Sequence, residues 1–256
     1  VNCKGFLDTH ATPETIRPWA EKQGTSLKMT TAFTDGTKMQ VENCCVANAT
    51  GLVPERRGMH GVATTLAEAL DDFAEALDGT GVVEYSLGGD FGGGIFVIGG
   101  GADPELAAPY LEYLKMGGGP WHLFYRPWHL VHFETPITIA EVALHRHATL
   151  VPRTDPIAQV VAIAKRDLTA GNTPDGIGGF DLRGEVDLID RSLDVLPLGL
   201  ADRGTLVVHV ADDEPVPLSG FELDDAAPIV ALWRAQRDWS AEGWVSAADL
   251  LGTWDA

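Results

Sequence analysis

The way in which proline and glycine interrupt the chain changes near residue 152, and this change limits the folds open to its 256 residues. Before it, helix starts such as Thr12-Pro13 and Asp103-Pro104 alternate with short apolar runs and glycine stops. After it, prolines separate short β-type runs, which is typical of a small module with many turns. The sequence therefore predicts an α+β fold, with an α+β substrate and catalytic domain over 13–152 and a β-rich module plus C-terminal helix over 153–256.

Capping residues and apolar periodicity predict the individual elements. Helices are expected over 12–23 and from Asp35-Gly36 to Gly51, because glycine commonly ends a helix. Leu27–Phe33 alternates loosely between apolar and polar residues, which favours a strand. Further helices are predicted after the Thr65-x-x-Glu68 capping box, over 103–117, 136–146 and 224–239, and further strands at 1–3, 82–85, 95–98, 121–125, 160–164, 195–200 and 205–210.

Charge and cysteine content exclude several classes of protein. The 18 basic and 37 acidic side chains give a net charge of −19, which repels phosphate backbones and argues against a nucleic-acid binder. No apolar run approaches the ~18 residues of a transmembrane helix, so no membrane protein is expected. The three cysteines include no CxxC pair, which disfavours a zinc or thioredoxin-type site. Reduced thiols and the lack of a signal peptide predict a cytoplasmic protein.

The glycine-rich segment at 88–94 has the composition of a phosphate-binding loop but not its context. Such a loop joins a strand to a helix, whereas the next predicted element here is the strand at 95–98. The GxGxxG spacing is also absent. We therefore expect a wide turn in which backbones approach closely.

Lys38 is the first candidate for chemistry. It lies in the first turn of the helix that Asp35 and Gly36 open, where Asp35 can cap backbone N–H groups. Lys38 and Glu42 are four residues apart, so a surface ion pair explains them equally well. The alternative is a lysine that points into a cleft and donates to a substrate carbonyl or hydroxyl.

Arg56 and Arg57, followed by His60 between glycines, are unusual in so acidic a protein. The guanidinium group suits a carboxylate or a phosphate, which predicts an anion-binding loop. Surface arginines that balance the local acidity are the alternative.

The segment from 121 to 134 is aromatic and holds several ionisable groups. Tyr125, His129, His132 and Glu134 share it, and aromatic walls exclude water from groups that transfer protons. His129-x-x-His132 could also bind a divalent metal, but HxxH lacks the one-face spacing of HExxH, so none is expected. Core histidines with satisfied hydrogen bonds are a third possibility.

Several of these motifs, taken in order, are similar to a known family. They are Thr34-Asp-Gly-Thr-Lys38, Arg57-Gly-Met-His-Gly61, Phe124–Glu134, Ala164–Gly171 and Asp175–Phe180. This order resembles the homoserine-dehydrogenase-like oxidoreductases with a C-terminal SAF (antifreeze-like, β-clip) domain, in particular the deoxyxylulose-phosphate-reductoisomerase-like family. The resemblance covers nearly the whole chain and fades after about residue 225.

The resemblance implies three parts: a Rossmann domain for NADPH or NADH, a substrate domain, and a SAF-like domain over 153–256. Residues 1–12 would be the end of the Rossmann domain, and Lys4 would lie near the nicotinamide. The core of that domain and its glycine turn are not in the sequence. The resemblance therefore implies either the C-terminal part of a longer enzyme or a reduced relative with other chemistry.

The sequence hypothesis is an NAD(P)-dependent oxidoreductase or reductoisomerase that acts on a small, polar, anionic hydroxy or keto compound. A cofactor-independent lyase or isomerase and a non-enzymatic SAF-type binding module are the alternatives. A homo-oligomer is expected, since two-fold assembly is common. In the leading hypothesis Lys38 polarises the carbonyl, Asp35 orients it, His129 and Tyr125 shuttle protons, Arg57 and His60 hold the anionic end, and His132 and Glu134 contact the substrate.

Overall fold

A computed structural model describes residues 2–129, 131–152 and 155–242, and its elements are mixed helices and small sheets, as an α+β chain requires. The predicted start of the second module at 153 and 154 lies outside these residues. The helices are α1 Arg17–Gln23, α2 Leu27–Thr34, α3 Thr37–Thr50, α4 Ala69–Ala76, α5 Pro104–Tyr113, α6 Val131–His145 and α7 Pro228–Glu242. The strands are β1 Asn2–Lys4, β2 Val62–Ala63, β3 Tyr85–Leu87, β4 Ile95–Gly99, β5 His122–Arg126, β6 Ala158–Ala164, β7 Leu182–Leu188, β8 Gly204–Leu206 and β9 Phe221–Leu223.

Strands β1 to β5 form one mixed sheet in the order β2-β3-β1-β4-β5. The N-terminal strand β1 is central: it pairs in parallel with β3, where Asn2 faces Tyr85, and antiparallel with β4. This pairing places Lys4 at the carboxyl end of a central strand. Whether residues 1–12 also end a nucleotide-binding domain stays a prediction.

The predicted strand at Leu27–Phe33 is wrong, because this segment forms helix α2. Ser26 caps it by accepting from the Met29 amide, and three threonine hydroxyls donate to carbonyls four residues earlier. Threonine tolerates a helix when its hydroxyl bonds back to the preceding turn. Loose alternation over seven residues was therefore a weaker signal than the serine cap.

Helix α3 confirms the predicted glycine boundaries. Gly36 at its start has φ +88° and Gly51 at its end has φ +80°, the left-handed backbone that glycine adopts without strain. Its first turns hold strand β7: Gly184 N–H donates to Thr37 Oγ1 (2.9 Å) and Val186 N–H to Gln40 Oε1 (2.9 Å). The two sequence halves are thus joined at the start of α3.

The region after residue 155 is organised around the antiparallel pair β6–β7, with a second pair, β8–β9. The predicted run 160–164 is confirmed within β6, but β7 was missed, and 195–200 forms isolated β-bridges at Val195 and Pro197 and a short 3₁₀ helix instead of a strand. Strand β7 carries Arg183, Glu185 and Asp187 among its apolar residues, so it lacks an apolar run. The core of the region after residue 155 consists mainly of aliphatic side chains, among them Ala162, Leu168, Leu182, Leu196, Leu206, Val216 and Val230.

The other boundaries shift by a few residues. Thr65 Oγ1 donates to the Glu68 carboxylate, and α4 starts only after this turn, at Ala69. Helix α6 begins at Val131, five residues earlier than predicted. Its apolar side chains are exposed, Phe133 by 72%, as are Val97 and Phe124 on the outer face of β4–β5. Apolar surface of this kind is often covered by a partner, and the homo-oligomer stays a prediction.

Within the described ranges, none of the helices combines the length and apolar character needed to cross a membrane.

Candidate functional site

A cleft of about 330 Å³ opens where the start of α3 meets strand β7 and the loop before β2. It brings together three of the residues singled out in the sequence, Asp35, Arg57 and His60. Its walls are also formed by Leu7, Thr9, Gly36, Gln40, Arg56, Gly58, Met59, Tyr85, Arg183, Gly184 and Glu185.

Asp35 is part of a buried ion pair beneath this cleft. Its Oδ2 lies 3.2 Å from Lys165 Nζ, both side chains are fully buried, and its Oδ1 accepts the Thr37 amide at 2.9 Å. Lys165 also donates to the Ala11 and Gly179 carbonyls. The carboxylate therefore bonds to Lys165 and to the helix start rather than to Lys38.

Lys38 and Lys4 lie beside the cleft without lining it. Lys38 Nζ is 2.6 Å from Glu42 Oε1 and stands over the Phe33 ring at 4.6 Å. Lys4 Nζ donates to the Phe33 carbonyl. Burial lowers the pKa of Lys4 and the Lys38 charge lowers it further, while Asp35 and Glu42 oppose the shift. The two lysines thus form a group of their own at the end of β1.

The cleft has an excess of positive charge. Glu185 links two arginines, with Oε1 3.0 Å from Arg183 Nη2 and Oε2 3.2 Å from Arg57 Nε. Arg56 Nε donates to the Met59 carbonyl, and no carboxylate in the described part of the chain pairs with it. Lys165 neutralises Asp35, Glu185 is shared by Arg57 and Arg183, and Arg183 also pairs with Asp213, so Arg56 is the guanidinium group of the cleft that lacks a carboxylate partner among the described residues. This arrangement can hold an anion.

His60 and Glu55 form a dyad in the wall. His60 Nε2 lies 3.1 Å from Glu55 Oε2, and Glu55 Oε1 accepts the amides of Asp78 and Gly79. A carboxylate fixed in this way orients an imidazole and favours one tautomer, which leaves the other ring nitrogen able to exchange a proton.

Glu84 fixes the wall between His60 and Tyr85. Its buried carboxylate accepts the amides of His60 (2.7 Å), Gly61 (3.0 Å) and Tyr85 (2.8 Å). Gly61 has φ +70°, and any Cβ there would collide with the Tyr85 hydroxyl. The loop therefore needs glycine at this position to let the Tyr85 ring lie against it.

Comparison with known families identifies the first half of the chain. The model described as Oxidoreductase DRL, catalytic domain, matches residues 3–135. The chain belongs to this family. It is accordingly an oxidoreductase, and no curated protein gives a significant match. The DRL match covers the sheet, α3 and the 56–61 loop, whereas Lys165, Arg183 and Glu185 lie beyond it.

The aromatic segment matched by the DRL model does not reach the cleft. Tyr125 Oη donates to the Phe91 carbonyl at 2.5 Å, and its ring packs edge-on against Phe91. Glu134 Oε1 pairs with Arg126 Nη2 at 2.5 Å. His132 is exposed and His129 half-buried, and neither lines the cleft. Their assigned roles in proton transfer and substrate contact stay predictions.

Much of the cleft is not evident in the sequence of this DRL-family chain. No sequence motif marks Glu55, Glu84 or Tyr85, because single polar residues in an apolar run look like ordinary strand or loop positions. Arg183 and Glu185 lie in a strand that was itself missed. The signal that could have found them is alternation of charge along 183–187, which marks a strand with one polar face.

One group among the described residues has metal-ligand spacing: His10, Asp212 and Asp213, all exposed. His10 Nε2 lies 3.0 Å from Asp212 Oδ1, and Asp213 is paired with Arg183 at 2.8 Å. The Arg183 guanidinium group already pairs with the Asp213 carboxylate, so ion pairing between side chains explains the group. His129 and His132 do not belong to it.

The described residues do not fit a complete nicotinamide dinucleotide site. The segment 88–94 joins β3 to β4, so it offers no helix N-terminus to a pyrophosphate. Lys4 remains a candidate contact for the nicotinamide, as the resemblance implies.

Proposed function

We propose that the chain is the catalytic part of an NAD(P)-dependent oxidoreductase or reductoisomerase that acts on a small anionic hydroxy or keto compound. Membership of the DRL family supports the reaction class. The observation that carries the substrate class is the cleft lined by Arg56, Arg57 and Arg183, in which Glu185 pairs with the last two and Arg56 has no carboxylate partner among the described residues. In a protein of net charge −19, this local excess favours an anionic ligand.

In this proposal each side chain of the site has a separate role. Arg56 and Arg57 hold the anionic end of the substrate. His60, oriented by Glu55, takes a proton from a substrate hydroxyl or returns it to a carbonyl oxygen. Lys38, which lies beside the cleft and pairs with Glu42, would add positive charge near a carbonyl oxygen that becomes negative. A nicotinamide, when bound, supplies or accepts the hydride.

Two finer assignments belong to the same proposal. A SAF-like identity for 153–256 is supported by the resemblance of motifs and by the β6–β7 and β8–β9 pairs. A cytoplasmic location is supported by the free thiols of Cys44 and Cys45. Burial raises the pKa of Cys44 to about 11, so this thiol stays protonated and unreactive.

A cofactor-independent lyase or isomerase is the second candidate. The His60–Glu55 dyad favours it, because proton transfer at a carbon next to a carbonyl needs a base but no hydride. The two candidates differ in whether turnover consumes or produces reduced nicotinamide.

The test is an assay of the full-length protein with small hydroxy and keto compounds, each offered with and without a carboxylate or phosphate group. We expect nicotinamide oxidation or reduction only with the anionic members. Arg57→Ala should raise KM for them by about 10–100-fold, since a hydrogen bond to a charged group contributes about 1.5–3 kcal/mol. Arg234→Ala, which removes an exposed pair with Asp225, is the matched control.

Turnover without any change in nicotinamide would favour the lyase or isomerase. Equal turnover of neutral and anionic compounds would contradict the substrate class, and no turnover with any member of the panel would contradict an enzyme of either kind.

The variant Lys38→Ala distinguishes a catalytic role of Lys38 from a role only in a surface ion pair. If Lys38 stabilises developing charge, kcat/KM should fall by about 100-fold with little change in Tm. An exposed lysine–glutamate pair contributes only about 0.3–0.5 kcal/mol, so in that case both values should stay near wild type. Lys22→Ala, on an exposed position of α1, controls for the loss of one positive charge.

A further inference from the structure

Tyr85 is a cleft residue that the proposed function leaves without a role. It lies on β3, is only 5% exposed, and turns its ring toward Gly61 and the arginine loop. The Glu84 carboxylate holds its backbone amide and those of His60 and Gly61, so ring and loop form one rigid wall. The position of its hydroxyl is therefore set by the fold.

The hydroxyl of Tyr85 has no hydrogen-bond partner in the described part of the chain. The Oη atom itself is not fully buried, so it is open to water or to a ligand in the cleft. A tyrosine hydroxyl at the edge of an apolar ring usually finds a hydrogen-bond partner of this kind. The hydroxyl lines the cleft, which is where a ligand would supply the missing partner.

The charges around Tyr85 determine which ligand group fits. Burial, together with the neighbouring carboxylates of Glu84 and Glu185, raises the pKa of Tyr85 to about 12, while Arg56 opposes the shift. The phenol is therefore protonated at neutral pH and can donate. The same carboxylates disfavour a negative group directly at this hydroxyl, whereas Arg56, which has no carboxylate partner among the described residues, can hold one in the same cleft.

We infer that the Tyr85 hydroxyl donates a hydrogen bond to an uncharged oxygen, a hydroxyl or carbonyl, of the anionic compound in the cleft, and so selects oxygenated ligands. This inference rests on the anion binding in the proposed function. Tyr85 is a specificity-determining residue here, because a pocket built around a polar donor rejects an analogue that leaves the donor unpaired.

The experiment measures binding by isothermal titration calorimetry to two pairs of probes that differ by hydroxyl groups: glycerol phosphate with propyl phosphate, and glycerate with propanoate. Inorganic phosphate serves as the probe for the anion site alone. The wild-type protein should bind the hydroxylated member of at least one pair about tenfold more tightly, as one hydrogen bond of about 1.4 kcal/mol provides. Tyr85→Phe should abolish this preference and leave the affinity for inorganic phosphate and the Tm unchanged.

Tyr110→Phe, on an exposed position of α5, is the matched control and should keep the preference. A Tyr85→Phe protein that still prefers the hydroxylated probe overturns the inference. The proposed function is tested separately by Arg57→Ala, and loss of phosphate binding in that variant would leave the proposed function intact. If wild-type protein binds none of the probes, the anion-binding part of the proposed function fails, and this inference fails with it.

Discussion

His60→Gln should lower kcat/KM by about 10²–10⁴-fold, the range expected when a positioned general acid or base is removed. Glutamine can still bond to Glu55, so the wall of the cleft should keep its shape. It has no group that exchanges a proton near neutral pH. The measurement is steady-state kinetics of the full-length protein with the anionic substrate that the panel identifies, together with Tm.

Glu55→Gln tests the other half of the dyad. The Glu55 carboxylate orients the imidazole through Nε2 (3.1 Å) and also accepts two backbone amides, so its loss should lower kcat more than it raises KM. The exposed His145 of α6 provides a control, and His145→Gln should behave as wild type. Near-normal kcat/KM in His60→Gln would move proton transfer away from this dyad and back to the lysine group or to His129.

Asp35→Ala should destabilise the fold by about 3–5 kcal/mol in chemical denaturation, because it leaves the Lys165 ammonium buried without a counter-charge. The variant also removes the acceptor of the Thr37 amide at the start of α3. A loss of this size is a large part of the free energy of unfolding of a typical domain. Much of the variant protein should therefore be unfolded at physiological temperature.

The double variant Asp35→Ala, Lys165→Met measures how much of the lost stability comes from the unpaired Lys165 charge. Removing both partners should recover part of the lost free energy, since no uncompensated ion remains, although the Ala11 and Gly179 carbonyls lose their donor. Asp225→Asn, in an exposed pair with Arg234, should change the unfolding free energy by less than about 1 kcal/mol. Equal, small effects of Asp35→Ala and Asp225→Asn would mean that the buried ion pair contributes little to the free energy of unfolding.

Local signals predicted local structure well where they were strong. Gly36 and Gly51 bounded α3 because a left-handed backbone is nearly free only for glycine. The weak alternation of apolar and polar residues at Leu27–Phe33 led to a wrong strand prediction. The Ser26 cap and the threonine hydroxyls that bond to the preceding turn favour a helix there. Strand β7 was missed because its charged residues interrupt the apolar run, although their alternation along 183–187 is typical of a strand with one polar face.

The sequence by itself determined the α+β class, the excess of arginine and histidine in the 56–61 loop, and the order of motifs that resembles an oxidoreductase family. Only the tertiary structure decided what these residues meet. Arg57 and Glu185 are 128 positions apart and Asp35 and Lys165 are 130 apart, yet each pair is in contact. Caps and periodicity act over one or two turns, so they carry no information on pairs at this separation. The cleft includes such pairs, which is why the sequence could name Arg57 and Asp35 but not their partners Glu185 and Lys165.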